Sequence, residues 1–384
     1  MNLSNCMLCQ SPLVPVPHRH AGVTSDCKPW PRAGTWAICP GCGHVQKLLD
    51  EEWYQDICNI YREYEMYPLS DGQEQVVFEE ATPMPRTLRL IENLRSEIPL
   101  GVKGRLLDIG CGNGSILRTF HDLYPGWSLC GYEQFDTSRA YIEGLPGVDR
   151  FFSGTLGEIN DRFDLITIVY VIEHLPDPVG TLKQLKRLLK PDGILFVQTS
   201  NYLENPFDLL VVDHCSHFTL ETLAYLLELA DFSPLLQTDS WISKEIGVAG
   251  KVSNDVASRD IKNRTGESER TLRSMLVWLQ NMIDELKDRS IRTSVGIFGT
   301  AIAGSWLAGA SGHCAKFFVD EDPLRHRKEH MGHIVLKPAE VPDESSVYLA
   351  FPPELARKLQ ARLSRLYPRV DFLVPPEYEG RQTR

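Results

Sequence analysis

Short apolar runs alternate with stretches of helical periodicity through the middle of the chain. The pattern predicts buried strands with amphipathic helices between them. The predicted elements are strands at 105–109, 128–132, 163–169 and 194–197, helices from residue 115 and at 178–189, and a turn at 190–193. Because strands that alternate with helices form parallel sheets, we expect a doubly wound α/β core.

A similar pattern returns in the C-terminal third. The predicted elements are an amphipathic helix at 267–288, a strand, turn and helix over 294–304, and strands at 316–322 and 347–353. They predict a second Rossmann-like α/β domain. Its turn reads Gly299-x-Ala301-x-x-Gly304 and lacks the middle glycine that lets a backbone approach a pyrophosphate. A second dinucleotide site is therefore the less favoured interpretation.

Five of the ten cysteines fall within the first 42 residues, and four of these form two Cys-x2-Cys pairs, while Cys27 stands outside them. Each pair can offer two thiolates to one tetrahedral zinc ion, and four thiolates close its coordination shell. We expect a structural zinc in a small module at residues 1–50. Its predicted ligands are Cys6, Cys9, Cys39 and Cys42.

Composition and charge narrow the class of protein. The chain of 384 residues is 42% hydrophobic and 24% charged, which is ordinary for a globular protein. Its 40 Lys and Arg against 51 Asp and Glu give a net charge of −11, which argues against a nucleic-acid partner. The N-terminus carries no secretory pattern, and no run approaches the roughly 18 apolar residues of a membrane span. We expect a cytoplasmic protein with free thiols and no membrane partner.

The turn after the first predicted core strand carries a chemical signal. Asp108 and Ile109 end the strand, and Gly110-Cys111-Gly112-Asn113-Gly114 follows. Glycines permit a tight turn and a close approach of a ligand to the backbone. The second strand ends in Glu133, which lies 25 residues after Asp108, close to where α/β nucleotide sites place an acid for the ribose. The turn by itself fits a dinucleotide as well as other nucleotide-type cofactors.

With two later motifs, this turn resembles the class I S-adenosylmethionine-dependent methyltransferases. The later motifs are Val171-Ile172-Glu173-His174-Leu175-Pro176-Asp177-Pro178 and Leu189-Lys190-Pro191-Asp192-Gly193. The resemblance covers about residues 104–240 and implies an S-adenosylmethionine-binding core at 101–250. It implies that the first motif holds the amino-acid part of the cofactor and that the acid after the second strand holds the ribose hydroxyls. The cofactor-binding residues expected by match are Asp108, Gly110, Gly112, Asn113, Glu133 and Val171.

A narrower resemblance is to the zinc-containing sugar C-methyltransferases. It rests on three motifs: Cys39-Pro40-Gly41-Cys42-Gly43-His44-Val45-Gln46, Asn201-Tyr202-Leu203-Glu204-Asn205-Pro206-Phe207-Asp208 and Val212-Asp213-His214-Cys215-Ser216-His217-Phe218-Thr219. The resemblance implies the zinc module, the core, and a C-terminal Rossmann-like domain at 251–384 that helps form the substrate site. It also implies a small-molecule substrate, a keto sugar carried on a nucleoside diphosphate, that is methylated on carbon. Residues 51–100 are rich in Tyr, Glu and Arg, and this composition separately indicates a helical cap or linker.

The expected catalytic residues follow from that family's Glu-His-x-x-Tyr-Phe motif. The match places the general base on His214, with Asp213 in place of the Glu and His217 in place of the Tyr. Carbon methylation next to a ketone needs a base, and a histidine with an unperturbed pKa of about 6.5 suits that task. The neighbouring Asp213 carboxylate can orient the ring or stabilise its charged form.

Two further groups are weaker candidates for the site. The tyrosine-rich stretch after residue 51 offers Tyr64 and Tyr67 as side chains that line a ligand site, although packing is the ordinary role of such residues. In many methyltransferases the Glu-His pair after the fourth strand is a packing and cofactor-edge element, so a catalytic role for His174 is the lesser expectation.

Three other functions stay open. A methyltransferase acting on oxygen or nitrogen of another small metabolite would use the same fold and base. A zinc-bearing RNA methyltransferase is disfavoured by the net charge of −11. The non-enzymatic alternative is a scaffold protein that binds the cofactor without turnover.

Overall fold

The computed structural model describes residues 4–65, 69, 74, 76–79, 82–253 and 265–378. Short strands dominate the N-terminal part: β1 (Val14–Pro15), β2 (Gly22–Val23), β3 (Pro29–Trp30), β4 (Trp36–Ile38) and β5 (Val45–Lys47). β1, β4 and β5 form one antiparallel sheet, and β2 pairs with β3. The turn between β4 and β5 contains two of the cysteines.

Residues 51–100 differ from the all-helical prediction. The elements are α1 (Glu51–Arg62), β6 (Val76–Glu79), β7 (Thr82–Pro85) and α2 (Arg86–Glu97). Asp50 starts α1 by accepting a hydrogen bond from the backbone of Trp53. An antiparallel hairpin separates the two helices because Pro83 and Pro85 cannot donate the backbone bonds that a helix needs.

A seven-stranded sheet forms the centre of the molecule. Its elements in chain order are β8 (Arg105–Ile109), α3 (Ser115–Leu123), β9 (Ser128–Glu133), α4 (Arg139–Glu143), β10 (Val148–Ser153), β11 (Phe163–Val169), α5 (Pro178–Lys186), β12 (Leu189–Ser200), β13 (Ser216–His217), α6 (Leu220–Leu229), β14 (Phe232–Thr238) and β15 (Glu245–Val252). The strand order is β10-β9-β8-β11-β12-β15-β14. β15 runs antiparallel to both of its neighbours, and the pairs from β10 to β12 are parallel. The predicted α/β core is therefore confirmed.

The fifth strand of this core starts earlier than predicted. β12 begins at Leu189, and the predicted turn at 190–193 is an irregularity within it. Phe163 pairs with Leu189 and Leu165 with Ile194, so the intervening residues of β12 bulge out of register. The predicted helix at 178–189 ends at Lys186, ahead of this strand.

The C-terminal part contains a second sheet. Its elements are α7 (Thr265–Arg292), β16 (Val295–Phe298), α8 (Ile302–Ala310), β17 (Phe318–Val319), β18 (Glu329–His330), β19 (His333–Leu336), β20 (Ser346–Leu349), α9 (Pro353–Leu366) and β21 (Asp371–Leu373). The strand order is β18-β19-β17-β16-β20-β21, with only the β18–β19 pair antiparallel. The predicted strand at 347–353 stops at Leu349 because Pro353 opens α9.

The N-terminal module packs on the C-terminal sheet. Trp36, Phe207, Trp278 and Trp306 belong to one buried cluster, which draws on the module, the central part and α7 and α8. The Trp306 indole donates to the carbonyl of Ala21 over 3.0 Å. Whether the predicted boundaries at 50, 100 and 250 mark separate domains stays a prediction. Among the described helices, none combines the length and the apolar composition needed to cross a bilayer.

The N-terminal module also joins the segment that carries the predicted base. β13 pairs with β5 through Ser216 opposite Gln46 and His217 opposite Val45, which makes β13 the fourth strand of the module's sheet. A 3-10 helix at Pro206–Leu210 precedes it. The segment between this helix and β13 is therefore held by backbone contacts that come from the first fifty residues.

A buried carboxylate holds the same segment from the other side. Nδ1 of His214 lies 2.8 Å from one oxygen of Asp208, and Nδ1 of His217 lies 2.7 Å from the other. Burial opposes ionisation of Asp208, but the two histidines hold its pKa well below the usual range. An ionised carboxylate only accepts, so both rings donate from Nδ1, and Nε2 is the acceptor nitrogen of each ring in its neutral form.

We expect His217 to make the fold acid-sensitive. Burial, against the opposing effect of Asp208, lowers the pKa of His217 to about 4, whereas an unfolded histidine titrates near 6.5. The unfolded chain binds this proton first, so His217 lowers the free energy of unfolding by up to about 3 kcal/mol as the pH falls from about 6.5 to about 4. The measurement is urea unfolding across that range.

The variant His217→Asn keeps a donor for Asp208 but cannot titrate, so the slope of stability against pH becomes shallower. His313→Asn, at an exposed histidine, serves as the control. An unchanged slope in His217→Asn would show that this residue is not the titrating group.

Candidate functional site

The glycine loop after β8 has the backbone that only glycine adopts readily. Gly110, Gly112 and Gly114 have φ angles of +69°, +53° and +73°. A Cβ on Gly110 would lie 2.3 Å from Cγ2 of Val171, so the loop and the segment after β11 are in close contact. The loop therefore lies at the carboxyl edge of the parallel strands, where open α/β sheets bind ligands.

Two acids flank this loop. Asp108 is 2% exposed and accepts a hydrogen bond of 2.7 Å from the Thr167 hydroxyl. Burial raises its pKa to about 7 despite that hydrogen bond, and Glu133 adds to the effect. Glu133 accepts from the backbone N–H of Gly112 over 2.7 Å, and burial raises its pKa as well. The two carboxylates stand at the ends of adjacent strands and can receive an ammonium group and a pair of hydroxyls.

Asn113 is placed differently from the other residues of the loop. Its side-chain oxygen accepts from the backbone and the hydroxyl of Ser115, at 3.2 and 2.6 Å. This contact satisfies a free N–H at the start of α3, so Asn113 helps to begin the helix.

The segment after β11 brings Glu173 and His174 to the predicted base. They lie on a 3-10 helix at Ile172–His174, directly after Val171. The rings of His174 and His214 are 4.7 Å apart between centroids and nearly perpendicular, at 88°. Since Val171 touches Gly110, the histidine cluster and the glycine loop share one edge of the sheet.

The partners of His214 differ from those expected. Its ring is held by Asp208 and not by Asp213, which accepts instead from the backbone and hydroxyl of Ser25. Asp213 contacts His174 instead. Nδ1 of His174 lies 2.9 Å from the backbone carbonyl oxygen of Asp213 and 3.5 Å from its carboxylate. The reason is geometric: Asp208 lies on the preceding 3-10 helix, while Asp213 turns toward the N-terminal module.

His217 also lies away from the open part of the site. It is fully buried, binds the second oxygen of Asp208, and its Nε2 has no hydrogen-bond partner. Its position fits a supporting contact behind His214. Sequence reasoning missed Asp208, although Asp208 ends one of the motifs quoted for the narrower resemblance.

The two tyrosine predictions have different outcomes. Tyr67 lies outside the described residues. Tyr64 is half-buried, and its ring is 5.8 Å from that of Tyr61. The hydroxyl of Tyr61 lies 3.1 Å from Nδ1 of His174, so Tyr61 is the tyrosine that contacts the cluster. The sequence signal for Tyr61 was its spacing of three residues from Tyr64, which places the two side chains on one face of a helix.

Lys47 is a second residue that sequence reasoning missed. Its side chain is fully buried and donates to the carbonyl oxygen of Val211. Burial lowers its pKa to about 7, against the opposing charges of Asp213 and Asp208. No periodicity in the sequence distinguishes this lysine from a surface residue of β5.

The four paired cysteines meet in one cluster. The sulfurs of Cys6 and Cys42 are 3.7 Å apart and those of Cys9 and Cys39 are 3.3 Å apart, and all four lie within 4.8 Å of one another. Sulfurs around a tetrahedral zinc at about 2.3 Å are separated by roughly 3.8 Å. Two backbone N–H groups, of Leu8 and Cys42, point at the sulfurs of Cys6 and Cys39. The cluster has the donor set and size of a zinc site.

Comparison with known proteins agrees with this geometry. Residues 81–237 match the sequence model of a family described as a methyltransferase domain. The ubiquinone biosynthesis O-methyltransferase of Haemophilus ducreyi is 40% identical, over 28% of this chain and 50% of the relative. The same enzyme of Actinobacillus pleuropneumoniae serotype 7 is 30% identical over the same shares. The chain thus spans about half the length of the curated relatives that it matches.

Solved structures with similar folds include two methyltransferases. The mitomycin 7-O-methyltransferase MmcR is 20% identical, with a TM-score of 0.37 and coverage of 44% of this chain and 54% of that chain. The methyltransferase CalO1 of calicheamicin biosynthesis is 16% identical, with a TM-score of 0.36 and coverage of 42% and 52%. From the family match and the central sheet, residues 81–237 are a class I S-adenosylmethionine-dependent methyltransferase domain.

Proposed function

We propose that the chain transfers the methyl group of S-adenosylmethionine to a small-molecule acceptor that must first lose a proton. The observation that carries this proposal is the His214–Asp208 pair beside the glycine loop. The hydrogen bond to Asp208 occupies Nδ1 of His214, directs Nε2 away from that carboxylate and holds the ring in one orientation. A methyl acceptor that is already nucleophilic would need no such group.

The residues around the loop fit S-adenosylmethionine. The positive φ of Gly110 and its contact with Val171 leave room for backbone and not for a side chain. Asp108 and Glu133 supply the two carboxylates for its ammonium group and its ribose hydroxyls. When bound, the cofactor supplies an electrophilic methyl group on a sulfonium sulfur.

The histidine cluster ionises the acceptor. His214 draws the proton toward Nε2, and the ionised Asp208 stabilises the positive charge that the imidazole then gains. The half-buried ring of His174 and the buried Asp213 carboxylate beside it restrict the access of water to one face of the site.

For the acceptor we infer a carbon next to the ketone of a nucleotide-linked sugar. Support comes from the motif at 213–218 and from the cysteine module. The C-terminal sheet would help to form the substrate site, and one contact supports this: Nζ of Lys244 lies 6.0 Å from the ring centre of Phe351. A hydroxyl acceptor is the second candidate, since the curated relatives are named O-methyltransferases.

For the cysteine cluster we infer a structural zinc. Four sulfurs close the coordination shell, so this ion would support the fold and take no part in methyl transfer. β5 follows the second cysteine pair, ends in Lys47 and pairs with β13. The zinc module would therefore hold the segment of the proposed base in place.

The acceptor can be tested with labelled S-adenosylmethionine. The full chain is incubated with a panel of nucleotide-linked 4-keto sugars and hydroxylated aromatic compounds, and the methyl position is read by NMR. We expect the label on carbon of a keto sugar, and a rate that falls by about 10²- to 10⁴-fold in His214→Asn. Label on oxygen would show that the acceptor is a hydroxyl and not a carbon. Full activity of His214→Asn would show that His214 is not the base.

Cofactor binding can be tested by calorimetry. Glu133→Gln keeps the size of the side chain but loses the charge that accepts two hydroxyls, so S-adenosylmethionine binds roughly 10- to 100-fold more weakly. Glu143→Gln, at an exposed position on α4, is the matched control and keeps the parent affinity. Equal affinities of the two variants would exclude Glu133 from the cofactor site.

Zinc can be tested by metal analysis after dialysis against a chelator. We expect one tightly held zinc per chain, which Cys39→Ser loses because three thiolates no longer close the shell. Cys27→Ser, whose sulfur lies outside the cluster, retains it. A parent chain that carries no zinc after expression in zinc-supplemented medium would contradict the proposal.

A further inference from the structure

We propose that Glu173, His174 and His214 bind a divalent cation that holds the oxygen of the methyl acceptor. The three side chains offer ligand atoms that lie within 4.8 Å of one another. One carboxylate and two imidazoles form the donor set of open sites for divalent transition metals. This proposal rests on the proposed methyl transfer and refines how the acceptor is ionised.

Glu173 is the residue that requires a partner. It is 1% exposed, and neither of its carboxylate oxygens makes a hydrogen bond of ordinary length and angle, although the Thr199 hydroxyl favours its charged form. A buried carboxylate that lacks a partner is costly, because it has lost the hydrogen bonds of water and gained none. A cation beside it would supply the missing charge.

The two histidines are oriented as metal ligands usually are. Nδ1 of His214 donates to the Asp208 carboxylate over 2.8 Å, and Nδ1 of His174 lies 2.9 Å from the carbonyl oxygen of Asp213. Histidines that bind metals commonly donate their other ring nitrogen to a carboxylate or a carbonyl, which fixes the tautomer. Nε2 of each ring is then the nitrogen left for the cation.

The charges around the group favour a cation. Asp208 and Asp213 are both buried, and each contacts one of the two histidines. The two imidazole rings are 4.7 Å apart between centroids. A metal ion between the rings and Glu173 would balance the negative charge of these carboxylates.

This site differs in kind from the cysteine cluster. Three protein ligands leave coordination positions open, as in catalytic metal sites, whereas the four thiolates close theirs. The open positions suit an acceptor oxygen: the hydroxyl of an O-methyl acceptor, or the enol oxygen of a ketone.

The cation changes how the acceptor loses its proton. A cation here would lower the pKa of a hydroxyl acceptor's O–H, or of the C–H next to a ketone whose oxygen it binds. The proton would leave to water, so that His214 acts as a ligand and does not keep the proton. The nucleophilic atom then forms its bond to the methyl carbon as the sulfonium C–S bond breaks, and the sulfonium becomes a thioether.

The binding test uses Mn²⁺, which prefers oxygen and nitrogen ligands over thiolates. Electron paramagnetic resonance titration of the full chain, with its cysteine cluster loaded with zinc, should show one Mn²⁺ site. Glu173→Gln should bind Mn²⁺ at least about tenfold more weakly, and His174→Asn should do the same. Glu204→Gln, outside the group, should bind as the parent does. S-adenosylmethionine affinity of each variant, measured by calorimetry, reports whether the fold is intact.

Several outcomes decide between the proposals. Absence of Mn²⁺ binding in the parent, or equal binding by Glu173→Gln, overturns the cation site. Turnover that survives chelation and is lost in His214→Asn also overturns it, and leaves the proposed methyl transfer standing. Mn²⁺ binding that depends on Glu173, in a chain that binds no S-adenosylmethionine, supports the site and overturns the proposed function.

Discussion

The arrangement of the candidate site depends on one buried carboxylate, Asp208, that binds two histidines. An ionised group inside a protein is stable only when donors surround it, and here Nδ1 of His214 and of His217 are those donors. The chain from the 3-10 helix to β13 must therefore fold back so that both rings reach one side chain. This contact fixes the orientation of the His214 ring, and the pairing of β13 with β5 holds the same segment through its backbone.

The N-terminal module contributes to the site as well as to the fold. It provides β5 as the partner of β13, Ser25 as the donor to Asp213, and the buried amino group of Lys47 near Asp213 and Asp208. The proposed zinc would stabilise the module without a large hydrophobic core, which suits a segment of about fifty residues. The module contacts α8 through Ala21 and Trp306, and it contacts the segment after β12 through the pairing of β5 with β13.

Local sequence was sufficient for much of the core. β8 and β11 have the bounds predicted at 105–109 and 163–169, and β9 extends the predicted strand at 128–132 by Glu133. Central parallel strands are buried on both faces, so they read as continuous apolar runs. The predictions placed a turn where β12 has its bulge, and they made residues 51–100 helical where the structure has a hairpin between two helices. Both depend on a neighbouring strand for their hydrogen bonds, and a run of residues does not reveal its partner.

The sequence by itself determined the chemistry that is available: two cysteine pairs, a glycine loop between two acids, and histidines after the fifth core strand. Only the tertiary structure decided which of these groups meet. It placed Asp208 and not Asp213 on His214, brought Tyr61 to His174, and left Glu173 buried beside both histidines without a hydrogen bond of ordinary length and angle. The physical reason is that such contacts join residues 6 to 113 positions apart, and their geometry is set by how the sheets pack and not by local spacing.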